Sequence, residues 1–95
     1  MANAILVDTP GLTQQHYEAV TADLGLNDGL PDGCTVHIAG PMPDGAGWRV
    51  ITVWDDMDKA QAFLTEKLRP AQERAGAPAP AGPPQMWQVH RLVHA

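Results

Sequence analysis

Cys34-Thr35-Val36-His37-Ile38-Ala39-Gly40-Pro41-Met42-Pro43-Asp44-Gly45-Ala46-Gly47-Trp48-Arg49-Val50-Ile51-Thr52-Val53-Trp54 is the stretch that decides the fold. Its first part alternates, with Val36 and Ile38 on one side and Thr35, His37 and Ala39 on the other, the period of a half-polar strand. Its last part alternates more strongly. Arg49, Ile51 and Val53 share one side, while Trp48, Val50, Thr52 and Trp54 share the other, a central strand of branched and aromatic residues. Between them, Gly40 to Gly47 is broken by Pro41, Pro43 and Gly45, so it cannot hold regular structure and reads as a hairpin connection. Long hairpin tips are often functional, which makes it a candidate lid.

Working toward the N-terminus, Ala4 to Val7 is a short branched apolar run that ends in the turn residues Asp8-Thr9-Pro10-Gly11. Thr13 stands where an N-cap belongs, Tyr17, Val20 and Leu24 follow at i, i+3 and i+7, and Gly25 can close the helix, so Leu12 to Leu24 is predicted helical. Asn27 to Gly33 is a loop. Toward the C-terminus, Asp56 can cap a second helix with the stripe Ala60, Phe63, Leu64 and Leu68, and Pro70 predicts a kink or break before Ala71 to Ala75. Gly76 ends that segment. Ala77 to Pro84 holds only Pro, Ala and Gly and reads as an extended connector, and Met86 to Val93 alternates as a last strand. The order β-α-β-β-α-β over residues 1–95 predicts a single α+β domain of the ferredoxin-like type, an antiparallel sheet with two helices on one face. The other face is expected to carry Trp48, Val50, Trp54 and His37. It is too apolar for water, so a second copy should cover it, giving a homodimeric α+β barrel with the functional site inside.

The totals narrow the function. Ninety-five residues, 44% apolar, suffice for one core and not two, so an enclosed site is small or shared between chains. A net charge of −5 without any Lys/Arg run argues against nucleic acid as a partner. No basic leader or long apolar stretch precedes Asp8, which predicts a cytoplasmic protein without a membrane span. Cys34 is the lone cysteine and reads as a small buried thiol.

Among side chains that carry chemistry, His37 stands out as a base or orienter of a substrate hydroxyl, near Thr52 and Trp54. A satisfied core histidine is the plain alternative. Trp54 and Trp48 can wall a flat ring or simply fill an interface. Tyr17, with His16 beside it, starts the first helix and either gates the site or packs on Val20 and Leu24. His90 can line the cavity. It shares a strand face with His94, but two strand residues four apart lie about 13 Å from each other, too far to ligate one ion together. Asp55, Asp56 and Asp58 stand at a helix start, where acids offset exposed amides, so no metal is expected. A haem alternative would use His37 or His90 as axial ligand. Neither a phosphate loop, a Gly-x-Ser-x-Gly elbow nor a Cys-x-x-Cys pair is present.

Several segments together, Asp8-Thr9-Pro10-Gly11-Leu12-Thr13, Gly33 to Pro41, Gly47 to Trp54, and Phe63 through Leu68-Arg69-Pro70 to Gly76, make the chain resemble the antibiotic-biosynthesis-monooxygenase-like branch of the dimeric α+β barrels, in its small actinobacterial form. That superfamily includes cofactor-free oxygenases acting on polyphenols, haem-degrading enzymes, isomerases and members with no known reaction. The resemblance implies a homodimer, an apolar or aromatic metabolite as ligand, no cofactor, and His37 and Trp54 as the residues that meet the ligand. Cofactor-free oxygenases of this kind tend to use an asparagine near the cavity, and the asparagines here are Asn3 and Asn27. A non-catalytic binding or structural dimer is the other reading. It predicts that no open cavity remains.

Overall fold

The computed structural model describes residues 2–93. The chain runs β1 (Asn3–Pro10), α1 (Gln14–Leu24), β2 (Cys34–Pro41), β3 (Gly47–Trp54), α2 (Met57–Phe63), α3 (Arg69–Arg74) and β4 (Gln85–Gln88), with a π-helical turn, Leu64–Leu68, joining α2 to α3. The sheet is four-stranded in the order β2-β3-β1-β4. Every neighbouring pair is antiparallel. Two β-α-β units interlock, each with a strand of the other between its own strands, and the helices pack on one face. This is the ferredoxin-like arrangement expected from the pattern.

Local chemistry explains the helix ends. Thr13 Oγ1 accepts from the His16 amide at 3.2 Å and His16 Nδ1 accepts from the Thr13 amide at 3.2 Å, a reciprocal capping box. His16 is therefore committed to the helix start and not to a gate. Gly25 closes α1 in the left-handed region at φ 73°. Asp56 caps α2 by accepting from Asp58 and Lys59 amides. Pro70 does not break the second helix. The wider π turn at Leu64–Leu68 precedes it, so the chain absorbs the missing amide and the ring and continues to Arg74.

Two expectations fail at the chain's later strands. The last strand is short: Gln88 opposes Asn3, where β1 begins, and the pairing ends after one further bond from the Val89 amide to the Ala2 carbonyl. Residues 89–93 therefore leave the sheet, and Met86 to Val93 is not one strand. The hairpin connection is not a lid. It is pinned to β1, where Gly11 donates to the Ala46 carbonyl and a Cβ at Gly47 would run into the Thr9 carbonyl and Pro10.

The largest correction concerns the two faces of the sheet. Ile5, Val7, His37, Val50, Thr52 and Trp54 point toward α1 and α2, not toward a second sheet, because Tyr17, Val20, Leu24, Phe63, Leu64 and Leu68 pack over them. Trp54 and Ile5 are each 1% exposed, which makes this the chain's own core. The open face carries Val36 and Ile38 from β2, Arg49, Ile51 and Val53 from β3, Ala4, Leu6 and Asp8 from β1, and Trp87 from β4, as the register dictates. On that face Arg49 grips Asp8 with two bonds of 2.7 and 2.9 Å.

Candidate functional site

A cavity of about 80 Å³ lies between the sheet and the helices. Local structure brings its polar groups together. In β2, Cys34 opposes Trp54 and Val36 opposes Val53, so Thr35 is the extra residue of a bulge and donates through Oγ1 to the Val53 carbonyl at 3.3 Å. The bulge puts Cys34 and His37 on the same side, both lining the cavity, whereas simple alternation separates them. His37 opposes Thr52, and Thr52 opposes Ile5, so the imidazole on edge strand β2 lies in one row with the central strands β3 and β1.

Tyr17 projects from α1 onto this row, and its hydroxyl lies 2.7 Å from His37 Nε2. Its ring stacks at a tilt on Trp48, centroids 5.4 Å apart. At the other end, the Trp54 indole N–H donates to Thr52 Oγ1 at 2.9 Å and the Trp54 ring meets Phe63 at 5.5 Å. Thr52, having accepted that bond, keeps its own hydroxyl hydrogen for another acceptor.

Burial sets the charge state. It pushes the His37 imidazole below its ordinary value of 6.5. The Tyr17 phenol is raised, first by burial and then by Glu18, and the Cys34 thiol is raised by burial against the opposing effect of its backbone bonds to Val36 and Val53. All three groups are therefore neutral near pH 7. Among the described residues no Asp, Glu, Lys or Arg lines the cavity. It suits an uncharged, largely apolar molecule, with a neutral base–phenol pair on one wall.

The expected residues divide accordingly. His37, Thr52, Trp54 and Tyr17 meet at one cavity. Trp48 stands behind Tyr17 and does not line the cavity; its indole N–H is buried with no partner among the described residues. His90 lies outside, exposed, beyond the end of β4, so it does not line the cavity. His94 lies outside the described residues. Among the described residues no three His, Cys, Asp or Glu side chains converge to hold a metal ion. Phe63, Leu64 and Leu68, read only as a core stripe, are cavity walls, and Gln72 of α3 is an added polar group there. Nothing in the sequence around Gln72 signalled it, because its approach to the cavity depends on how α3 packs.

Against known proteins, no family model matches the sequence, and no curated protein does. Solved structures do match. A candidate antibiotic biosynthesis monooxygenase from Chloroflexus aurantiacus aligns over 100% of this chain and 98% of its own, with a TM-score of 0.68 and 16% identity. The chain has the fold of the antibiotic-biosynthesis-monooxygenase-like proteins. SnoaB, a cofactor-independent oxygenase from Streptomyces nogalater, aligns over 97% of this chain and 95% of its own, with a TM-score of 0.65 and 16% identity. A dimeric ferredoxin-like protein of unknown function from Jannaschia covers 93% of this chain and 98% of its own, with a TM-score of 0.52 and 16% identity. Similarity at these identities establishes the fold that holds the cavity. Among the described residues no helix is long and apolar enough to cross a membrane.

Proposed function

We propose that the chain is a small-molecule enzyme of the cofactor-independent monooxygenase kind, acting on an apolar hydroxyaromatic ring in the cavity between sheet and helices. The observation that carries this is the neutral His37–Tyr17 pair, 2.7 Å apart, in the wall of a cavity without fixed charge. The likeness to a fold that includes a cofactor-independent oxygenase supports it.

Without a cofactor to supply electrons, the substrate must itself reduce dioxygen. A phenol oxidised at the carbon opposite its hydroxyl does so in balance: phenol and dioxygen give quinone and water. The protein's task is to remove the hydroxyl proton in a dry site and hold the ring. If His37 Nε2–H donates to Tyr17, the Nδ1 lone pair is the base. If the Tyr17 hydroxyl donates to Nε2, the substrate proton passes to Tyr17 as that phenol hands its own proton to His37. Trp54 supplies the apolar wall, and Thr52 a hydroxyl to orient the substrate oxygen. A second copy over the open face completes the assembly, in line with the dimeric ferredoxin-like structure of similar fold.

Oxygen uptake with 1-naphthol and larger hydroxylated aromatics tests the proposal. His37→Ala is expected to lower uptake at least a hundredfold with the far-UV spectrum and association state kept. Unchanged uptake removes His37 from the chemistry. The small cavity favours a second reading, a non-catalytic module with a filled interior, because about 80 Å³ is less than the ~150 Å³ that accepts benzene. Wild-type protein that neither binds these rings nor consumes oxygen selects that reading.

A further inference from the structure

The cavity is too small for the ring it is proposed to hold, so some wall must yield. The sheet side cannot: Ile5 and Trp54 are 1% exposed and locked in central ladders. The hairpin end cannot, with β1 and β3 jammed together at Gly47. Of the other boundaries, the loop of residues 25–33 contributes Leu26 and Pro31 and carries neither helix nor strand. Outside it, between the loop and α2, lies an open groove of about 470 Å³. Leu24, Leu26, Pro31 and Phe63 line both the groove and the cavity, so one layer of side chains separates them.

This loop has a glycine at each end. Gly25 and Gly33 end it in the left-handed region, at φ 73° and 88°. Its inner backbone bonds are local, from Asp28 to the Gly25 carbonyl and from Gly29 to the Leu26 carbonyl, while its ends are anchored where Leu26 donates to the Thr21 carbonyl and Asp55 donates to the Gly33 carbonyl. Its side-chain tie to α2 is the Lys59–Asp32 ion pair of 3.1 Å, whose side chains are 46% and 87% exposed, a pair that water and salt weaken.

We propose that the ring reaches His37 through this groove, and that the shared wall, chiefly Leu26 and Phe63, sets which rings enter. This rests on the cavity reading above. It adds a substrate class: a planar hydroxyaromatic whose ring passes the wall while a polar substituent stays in the groove, where Lys59, Glu66 and Lys67 stand at the rim. Loop displacement merges the two spaces into one site large enough for both parts.

NMR titration of the full chain with 4-nitrophenol and with 4-nitro-1-naphthol, followed at the Trp54 indole N–H, tests it. Leu26→Ala is expected to raise the affinity for the naphthol over that for the phenol at least tenfold. Lys59→Met, at an exposed position, is expected to speed exchange of both probes at least threefold, as read from line shapes. Wild-type binding with an unchanged affinity ratio in Leu26→Ala, or with unchanged exchange in Lys59→Met, overturns the access route and leaves the cavity reading standing. No shift at Trp54 with either probe in any form overturns the cavity reading itself, and the access route with it.

Discussion

The two faces of this sheet are made by the same alternation and carry much the same apolar content, yet they are put to opposite uses. Under the helices, Ile5, Val50 and Trp54 enclose a row of polar groups, His37, Tyr17 and Thr52, that the fold buries and neutralises. On the open face, Leu6, Ile38, Ile51 and Trp87 surround one ion pair, Asp8 with Arg49, that remains charged. A face closed by its own chain can hold neutral polar chemistry in an apolar cavity. A face left open keeps an apolar surface with a charged pair toward one end of its central strands. Burial by helices, not hydrophobicity alone, separates the two faces.

The largest effect should come from the contrast of Trp54 with Ile38. Trp54→Ala removes a side chain 1% exposed and is expected to cost about 3–5 kcal/mol in urea unfolding. Ile38 is 58% exposed in the single chain, so Ile38→Ala should cost well under 1 kcal/mol at concentrations where the chain is monomeric. Equal costs at such dilution would erase the distinction between the faces.

Next comes association. Ile38→Asp sets a charge on the open face, midway along edge strand β2, and is expected to weaken self-association at least a hundredfold, measured by sedimentation equilibrium. A dimer that persists would put the partner elsewhere on the molecule.

The smallest effect separates the faces by pH. His37 has its pKa depressed by burial, so an unfolded chain takes up a proton near 6.5 while the folded chain resists it. Stability attributable to His37 therefore falls as pH drops below about 6.5 and levels off once the folded imidazole also titrates. Asp8 on the open face is held below 3.8, chiefly by its hydrogen bond from Arg49, so its stabilisation is present above 3.8 and is lost as pH falls through its folded value. Unfolding midpoints measured from pH 7.5 to 5 should decline in the wild type and decline less in His37→Gln. Parallel curves would mean that the imidazole is as hydrated folded as unfolded.

Much of this architecture was legible in the residues. Thr13, Gly25 and Asp56 mark helix ends because capping is decided within a few residues, and the structure uses all three as the pattern predicts. Alternation marked strands over Cys34 to Ala39 and Trp48 to Trp54, and the structure carries them on to Pro41 and back to Gly47, residues that read as part of the connection. His37, Tyr17, Thr52 and Trp54 were legible as chemistry, and they do share one cavity. His90 was not placed correctly, since its strand ends at Gln88, a limit set by the register with β1, which is non-local. The path through Pro70 was missed for a similar reason: a π turn costs little where Leu64 and Leu68 gain contacts over the cavity.

By itself the sequence determined the element order, the caps and which side chains alternate, because those depend on dihedral preferences and on periods of two and 3.6 within a short span of chain. Only the tertiary structure decided which side of the sheet the helices cover, that a bulge at Thr35 brings Cys34 beside His37, and that Tyr17 meets the imidazole. Alternation defines two faces without saying which is which. That choice is made when a crossover helix folds back and buries one of them, through contacts between residues far apart in the chain.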